Sequence, residues 1–267
     1  MYKKSQHGGG WWLAPEKGAP AARAVFLNLV LVLVGILLFV YWVFTRLHTY
    51  DWNWAGVWAY RWKFVQGWGM TLGIALSALG LSLGIGVLVA LCRRSRILFL
   101  RELAGMYVEL IRGSPFLVQI LVLYYGVFEV VGIRDAFLAG VLILSIFSGA
   151  YIGEIVRGGI AQVGRTQWES AMAVGFTTRQ TYRYIVMPQT LRNILPPLTG
   201  QLVSLIKDSS LLSIIAISEL TLSAQEVYAF SYAGFESYLP LAAGYLLLTL
   251  PVSWLSRRLE RKLHYEV

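Results

Sequence analysis

Long apolar blocks with almost no charge set the outer limit on what this chain can become. Residues 24–45, 69–92 and 238–256 contain no Asp, Glu, Lys or Arg. The block at 136–156 carries Glu154 alone, and 194–218 carries Lys207 and Asp208. A longer block, 103–131, is interrupted by Arg112-Gly113-Ser114-Pro115. A helix needs about 20 mostly apolar residues to cross a bilayer, so the chain reads as an all-α integral membrane protein with six transmembrane helices. Composition agrees, with 57% hydrophobic and 14% charged residues, against about 25% charge in a soluble domain. Disorder is excluded, since it needs low hydrophobicity and high net charge. The first block is too long for a signal-peptide core and has no small-residue cleavage site after it. It reads as a retained helix.

The formal net charge of +9 fits either nucleic-acid binding or loops facing anionic lipid. Its placement decides between them. Lys3, Lys4, Lys17 and Arg23 precede the first block, and Arg93, Arg94, Arg96 and Arg101 follow the second. Arg157, Arg165, Arg179, Arg183 and Arg192 follow the fourth, and Arg257, Arg258, Arg261 and Lys262 follow the sixth. These seventeen share one side of a six-span topology, while the other side holds Arg46, Arg61, Lys63 and Arg134. Basic residues accumulate on cytoplasmic loops, so both termini are expected in the cytoplasm of a bacterial cell (inner) membrane protein, with no call for nucleic acid. Cys92 stands alone, and His7, His48 and His264 are scattered. Neither a disulfide nor a metal site is expected.

The outer connection carries Tyr50, Trp52, Trp54, Trp58, Tyr60, Trp62 and Trp68. Such rings favour the headgroup level, which reads as an aromatic belt rather than a ligand cage. Small residues at Gly73, Ser77, Gly80, Ser82, Gly84 and Gly86, and again at Gly140, Ser145, Ser148, Gly149 and Gly153, let helix backbones approach closely in lipid.

The connection at 157–193 is far longer than the 2–8 residues usual between bundle helices. Residues 167–174 form helix, Gly175 breaks it, and 179–187 resumes a helix before Pro188. A helix–turn–helix of this kind suits docking of a soluble partner; the other reading is an amphipathic helix lying on the membrane. Its residues, Glu169-Ser170-Ala171, then Gly175, then Ile185-Val186-Met187-Pro188, resemble the EAA loop of ABC importer membrane subunits. Ser170 stands for the first Ala of that pattern and Met187 for its Leu. Elsewhere the chain is similar to the branch that imports polar amino acids. The segments are Thr71-Leu72, Tyr107 to Pro115, Ala150 to Ile160, Pro188-Gln189, Leu195-Pro196-Pro197, Lys207 to Leu211 and Glu219-Leu220. The departure is Thr166, where that branch has Gly.

The resemblance implies a type I ABC importer permease fold, a five-helix core plus one extra N-terminal helix that serves as accessory anchor or lateral packing helix. It implies as partners a second permease subunit (homo- or heterodimer), two cytoplasmic ATPases, an external solute-binding protein and an amino acid substrate. The chain has no Gly-x-x-x-x-Gly-Lys-Ser/Thr phosphate loop, so ATP is used by the partner and no cofactor is expected on this chain. The coupling set is then Gln167, Glu169, Ser170, Ala171, Gly175 and Pro188. Glu169 either pairs with a basic group of the partner or caps its helix, the latter favoured, and Ala171 and Gly175 admit close backbone approach.

Charges within spans cost about 2.5–3.5 kcal/mol even on the lenient insertion scale, so Glu154, Lys207 and Asp208 are pathway candidates. A zwitterionic amino acid offers a carboxylate and an ammonium to such groups. The other reading is ion pairing that fixes the bundle, for example Glu154 with Arg157. Ser114 and Pro115 should kink the third span and place it along the pathway or its gate, with Arg112 anchoring a helix end. The expected segments are a lead (1–23), the extra helix (24–45), an aromatic-rich connection (46–66), the permease domain (67–256) with its coupling loop (157–193), and a basic tail (257–267). A secondary transporter driven by an ion gradient is the alternative. It predicts inverted repeats, and the two halves show no internal similarity. A membrane enzyme finds no nucleophile–base pair.

Overall fold

The computed structural model describes residues 22–48 and 50–263; the N-terminal lead up to residue 21, His7, and the last four residues, with His264, lie outside the described residues. Two compact units divide at Trp52/Asn53. In the first, α1 (Ala22–Leu47) is apolar around its whole circumference. Phe26, Val32, Leu38 and Phe44 are all exposed, as a helix solvated by lipid requires.

The second unit is all helix. It begins with α2 (Trp54–Ala59) and α3 (Arg61–Arg93). Most of the expected aromatic connection is therefore helical: Asn53 caps α2 through the Gly56 amide at 3.0 Å, and α3 starts at Arg61. Next come α4 (Leu98–Gly113), α5 (Phe116–Leu121), a π-helical stretch (Val122–Phe128) and the short α6 (Glu129–Val131). The long α7 (Ala136–Ala161) follows, then α8 (Arg165–Ala173), α9 (Thr178–Thr181), a π-helical stretch (Tyr182–Val186) and α10 (Met187–Asp208). A 3₁₀ segment (Ser209–Ile215), α11 (Leu220–Ser231) and α12 (Gly234–Leu263) complete the unit. The basic tail is thus in large part the last turns of α12.

Four helices are long and apolar enough to cross a membrane, and two bent pairs bring the count to six if each is one span. The third block is one such pair: α4 and Phe116–Val131 meet at 112°, a corner rather than a kink. Proline disfavours helix at the residue before it, and Ser114 is extended (φ −118°, ψ 150°). The other pair bends by 48° between Thr178–Ile215 and Leu220–Ser231. The apolar block at 194–218 thus ends short of α11, whose start is fixed by a buried carboxylate. Glu219 accepts from the Thr221 and Leu222 amides, each at 2.9 Å, and from the Tyr245 hydroxyl at 2.8 Å.

At the centre, α7 packs against α3. A Cβ on Gly86 would lie 2.4 Å from Ile152 Cγ2, and one on Gly149 would lie 2.5 Å from Ile85 Cγ2. Both positions require glycine for this approach. Gly80 and Gly84 have no atom within 4 Å of a built Cβ, so only part of the small-residue stripe serves this contact. Ile74, Ala78, Ile143, Leu144, Leu205 and Leu212 fill the core between α3, α7, α10 and the 3₁₀ segment.

Candidate functional site

The loop between α7 and α10 folds as two capped helices. At the end of α8 the chain makes a Schellman turn: Phe176 N–H donates to the Ala171 carbonyl and Gly175 N–H to the Met172 carbonyl, both at 3.0 Å. The turn places Gly175 at φ +84°, a conformation that L side chains resist. A Cβ there would meet nothing within 4 Å. Gly175 is therefore needed for its backbone angle, and the space beside it is open on the side of this chain. The next helix opens with a capping box, in which Thr177 N–H donates to Gln180 Oε1 at 2.8 Å and Gln180 N–H to Thr177 Oγ1 at 3.4 Å. The helix then runs through Pro188 instead of stopping before it. Pro188 directly follows the π-helical stretch, where Met187 N–H donates to the Tyr182 carbonyl, so its missing N–H falls at a point where the regular helical ladder is already interrupted.

Ala171 is buried, whereas Met172, Val174 and Phe176 are exposed at the turn. Gln167 and Ser170 are exposed on α8. Glu169 does not cap α8: the cap position is Gly164, with no side-chain hydrogen bond. Instead Glu169 Oε1 accepts from Arg165 Nε at 2.9 Å, one turn back. Trp168 packs edge-on against Tyr182 at 5.0 Å, and Arg94 donates to the Tyr182 hydroxyl at 3.0 Å. The loop is thereby tied to the α3–α4 connection, through residues that its spacing did not single out.

Close to the same end, Glu154 stands among three arginines. Arg157 binds it through two hydrogen bonds, at 3.0 and 2.8 Å, so the expected pairing within α7 is present. Arg93 Nε lies 3.7 Å from Glu154 Oε1 and Arg112 Nη1 lies 3.8 Å from Oε2. One carboxylate thus faces three guanidinia brought by α3, α4 and α7. The surplus positive charge sits on Arg112 and Arg157, whose side chains are 49% and 42% exposed. Arg112 also lies over the Tyr151 ring at 5.7 Å.

Arg112 leads directly into the corner at Ser114 and Pro115, where the last carbonyls of α4 lose their helical donors. Ser114 Oγ donates to the Leu110 carbonyl at 2.8 Å, and Gln119 Nε2 reaches the Ile111 carbonyl at 2.7 Å and Ser114 Oγ at 2.9 Å. Gln119 Oε1 is buried without a hydrogen-bond partner. Gln119, absent from the sequence reading, sits one helical turn past Pro115, and glutamine is an unusual choice inside an apolar block. That was the available signal.

Lys207 and Asp208 do not join this cluster. The pairs Gly159–Ile194, Ser148–Gln201 and Gly140–Leu212 show α7 and α10 running antiparallel. Asp208 therefore lies near the level of Ile143 and Leu144, ten or so residues from Glu154, which is about 15 Å at the α-helical rise. Glu154 and Asp208 thus occupy separate levels of the bundle. Lys207 is exposed and Asp208 half-buried at the end of α10, and no ion pair joins them. Among the described residues no cluster of His, Cys, Asp and Glu has the form of a metal site.

Residues 82–265 match the family model described as binding-protein-dependent transport system inner membrane component. The glutamine transport system permease protein GlnP of Escherichia coli (strain K12) is 36% identical over 214 residues, 79% of this chain and 97% of that protein. The putative glutamine transport system permease protein GlnP of Rickettsia bellii is 35% identical over 200 residues, 74% of this chain and 92% of that protein. Among solved structures, an amino acid ABC transporter crystallised with histidines aligns with a TM-score of 0.74 and 36% identity, covering 79% of this chain and 99% of that one. The inward-facing MetNI methionine ABC transporter shares the fold, with a TM-score of 0.64 and 20% identity over 77% of this chain and 98% of that one.

Proposed function

The chain belongs to the family of binding-protein-dependent transport system inner membrane components, and on that premise we propose that it carries polar amino acids inward. In this reading it is the membrane subunit of an ATP-driven ABC importer. Two permease subunits, identical or different, form the pathway. Two cytoplasmic ATPases bind and hydrolyse the ATP, and an external solute-binding protein delivers the amino acid. The basic ends of α3 and α7 face the cytoplasm, as do both termini. No ion-gradient mechanism finds support.

The observation that carries the reading is the turn at the end of α8. It is a short helix held by a Schellman motif, a capping box and the Trp168–Tyr182–Arg94 contacts, and it presents Met172, Val174 and Phe176 outward. Exposed apolar side chains on a polar loop suit a protein partner, and a stiff turn transmits its movement to α7 and α10. Gln167, Glu169, Ser170, Ala171, Gly175 and Pro188 act here as the coupling set, Ala171 by seating the helix and Gly175 by closing it.

Along the pathway, Arg112 and Arg157 have spare donors for the carboxylate of a passing amino acid, beside Glu154, Ser114, Pro115 and the Gln119 carbonyl oxygen. Lys207 and Asp208 serve a separate level about 15 Å away, reached before or after that one. Uptake of glutamine and of charged amino acids into proteoliposomes, with Asp208→Asn and Arg112→Gln in turn, tests this division. The two variants should change different steps, one altering selectivity and the other slowing release; unchanged uptake in both removes these residues from the pathway.

A further inference from the structure

Between the end of α7, the first half of α10 and the last turns of α12 lies an open cavity of about 470 Å³ that the transport reading leaves unused. It is lined by Gln162, Arg192, Asn193, the two prolines 196 and 197, Glu260 and Arg261. Its walls are tied together. Asn193 Nδ2 donates to the Gly159 carbonyl at 3.4 Å, and Ser256 Oγ to the Pro196 carbonyl at 3.3 Å. A Cβ on Gly159 would lie 2.3 Å from Ile194 Cγ2, so α7 and α10 touch beside the cavity.

Two features set this cavity apart from a surface gap. Pro196 and Pro197 have no N–H, so the carbonyls of Arg192 and Asn193, four residues earlier, lose their regular helical donors. Both carbonyls belong to lining residues. In addition, no hydrogen bond or ion pair among the described residues engages the side chains of Arg192, Glu260 or Arg261, although all three line the same cavity. The lining therefore offers both signs: two guanidinia and the Gln162 amide on one hand, the Glu260 carboxylate and two helix carbonyls on the other.

We infer that this cavity binds a zwitterionic head group, with its anionic pole against Arg192 and Arg261 and its primary ammonium against Glu260 and the freed carbonyls. An ethanolamine phospholipid and a free zwitterion in solution both carry that chemistry. The level of the cavity favours the lipid. Two residues before Glu260, the Arg258 guanidinium lies 3.6 Å above the ring of the exposed Trp254, a pairing of indole and cation suited to headgroup depth. Basic pockets between helices on the cytoplasmic side bind anionic head groups, and Glu260 adds here the acceptor that an ethanolamine ammonium meets.

The test is native mass spectrometry of the purified full-length protein exchanged into defined mixtures of phosphatidylethanolamine, phosphatidylglycerol and phosphatidylcholine. Titration with free phosphoethanolamine runs in parallel. Phosphatidylethanolamine should be retained about tenfold over the other two, the scale of one hydrogen bond to a charged group. Glu260→Gln should abolish its advantage over phosphatidylglycerol, and Arg192→Gln with Arg261→Gln should lower retention of all three. Glu260 is exposed on the last turns of α12, and an unchanged thermal unfolding curve verifies that its variant is folded. Saturable binding of free phosphoethanolamine that Glu260→Gln removes, without any lipid preference, assigns the same site to a soluble zwitterion. Equal retention of the three lipids by wild type and Glu260→Gln, with no binding of free phosphoethanolamine, overturns the inference.

Discussion

Replacing Gly175 separates the backbone of the docking turn from its surface. At φ +84° with nothing within 4 Å of a built Cβ, Gly175→Ala adds no clash inside the chain. Its cost is the left-handed conformation alone, about 1–2 kcal/mol. That shifts the balance between the closed turn and its frayed alternatives by roughly 5- to 30-fold. Asparagine tolerates the left-handed region better than alanine, so Gly175→Asn should fall between the two. Gly175→Trp adds bulk that only a docked partner meets. The assay is binding-protein-stimulated ATP hydrolysis and amino acid uptake, measured together in proteoliposomes holding the chain and its ATPase. Uptake per ATP should fall in the order Gly, Asn, Ala, while Trp inserts normally yet loses the ATPase on purification. Equal coupling in Gly, Asn and Ala variants would refute the backbone argument, and normal uptake with Trp would refute docking at this turn.

Other substitutions probe the framework around it. Glu154→Gln leaves three guanidinia facing one another with no carboxylate; because Arg112 and Arg157 are half-exposed, the loss should be about 1–2 kcal/mol rather than the 3–5 of a fully buried pair. Thermal unfolding in detergent measures it, and an unchanged midpoint contradicts it. Gln119→Leu removes the donor to the Ile111 carbonyl and should cost about 1–3 kcal/mol, while spin labels on α4 and α7 report a corner that moves. Gly86→Val, whose Cβ would lie 2.4 Å from Ile152 Cγ2, should destabilise by about 1–3 kcal/mol or more; Gly80→Val, with open space around it, should not.

Block length carried the four long helices and the two bent pairs, because lipid leaves little choice but a helix for an uncharged stretch of that length. Two helices beyond those blocks and the 157–193 loop, α2 and α11, were hidden. The start of α11 depends on Glu219, on Tyr245 and on Thr71, whose Oγ1 accepts from the Leu220 N–H at 3.1 Å, residues far apart in sequence whose contacts exist only after packing. Pro115 announced an interruption, but its angle follows from how Ser114 and Gln119 satisfy the freed carbonyls. In the docking loop, Gly175 was legible as a helix breaker, although its reason proved to be a positive φ. Glu169 looked like a cap and is instead paired one turn back with Arg165, since the helix begins at Arg165 and places the carboxylate beyond the first amides. Glu154, Lys207 and Asp208 stood out equally as charges in apolar blocks. Only the antiparallel packing of α7 against α10 shows that they occupy two levels.

In the proposed function, work reaches this chain from an ATPase through the turn after α8. The most direct measurement is uptake of labelled glutamine into proteoliposomes containing the chain, its ATPase and the external binding protein, with ATP and an imposed ion gradient supplied separately. Uptake should need internal ATP and the binding protein, ignore the gradient and be lost in Gly175→Trp. Uptake driven by the gradient with the ATPase absent would contradict it.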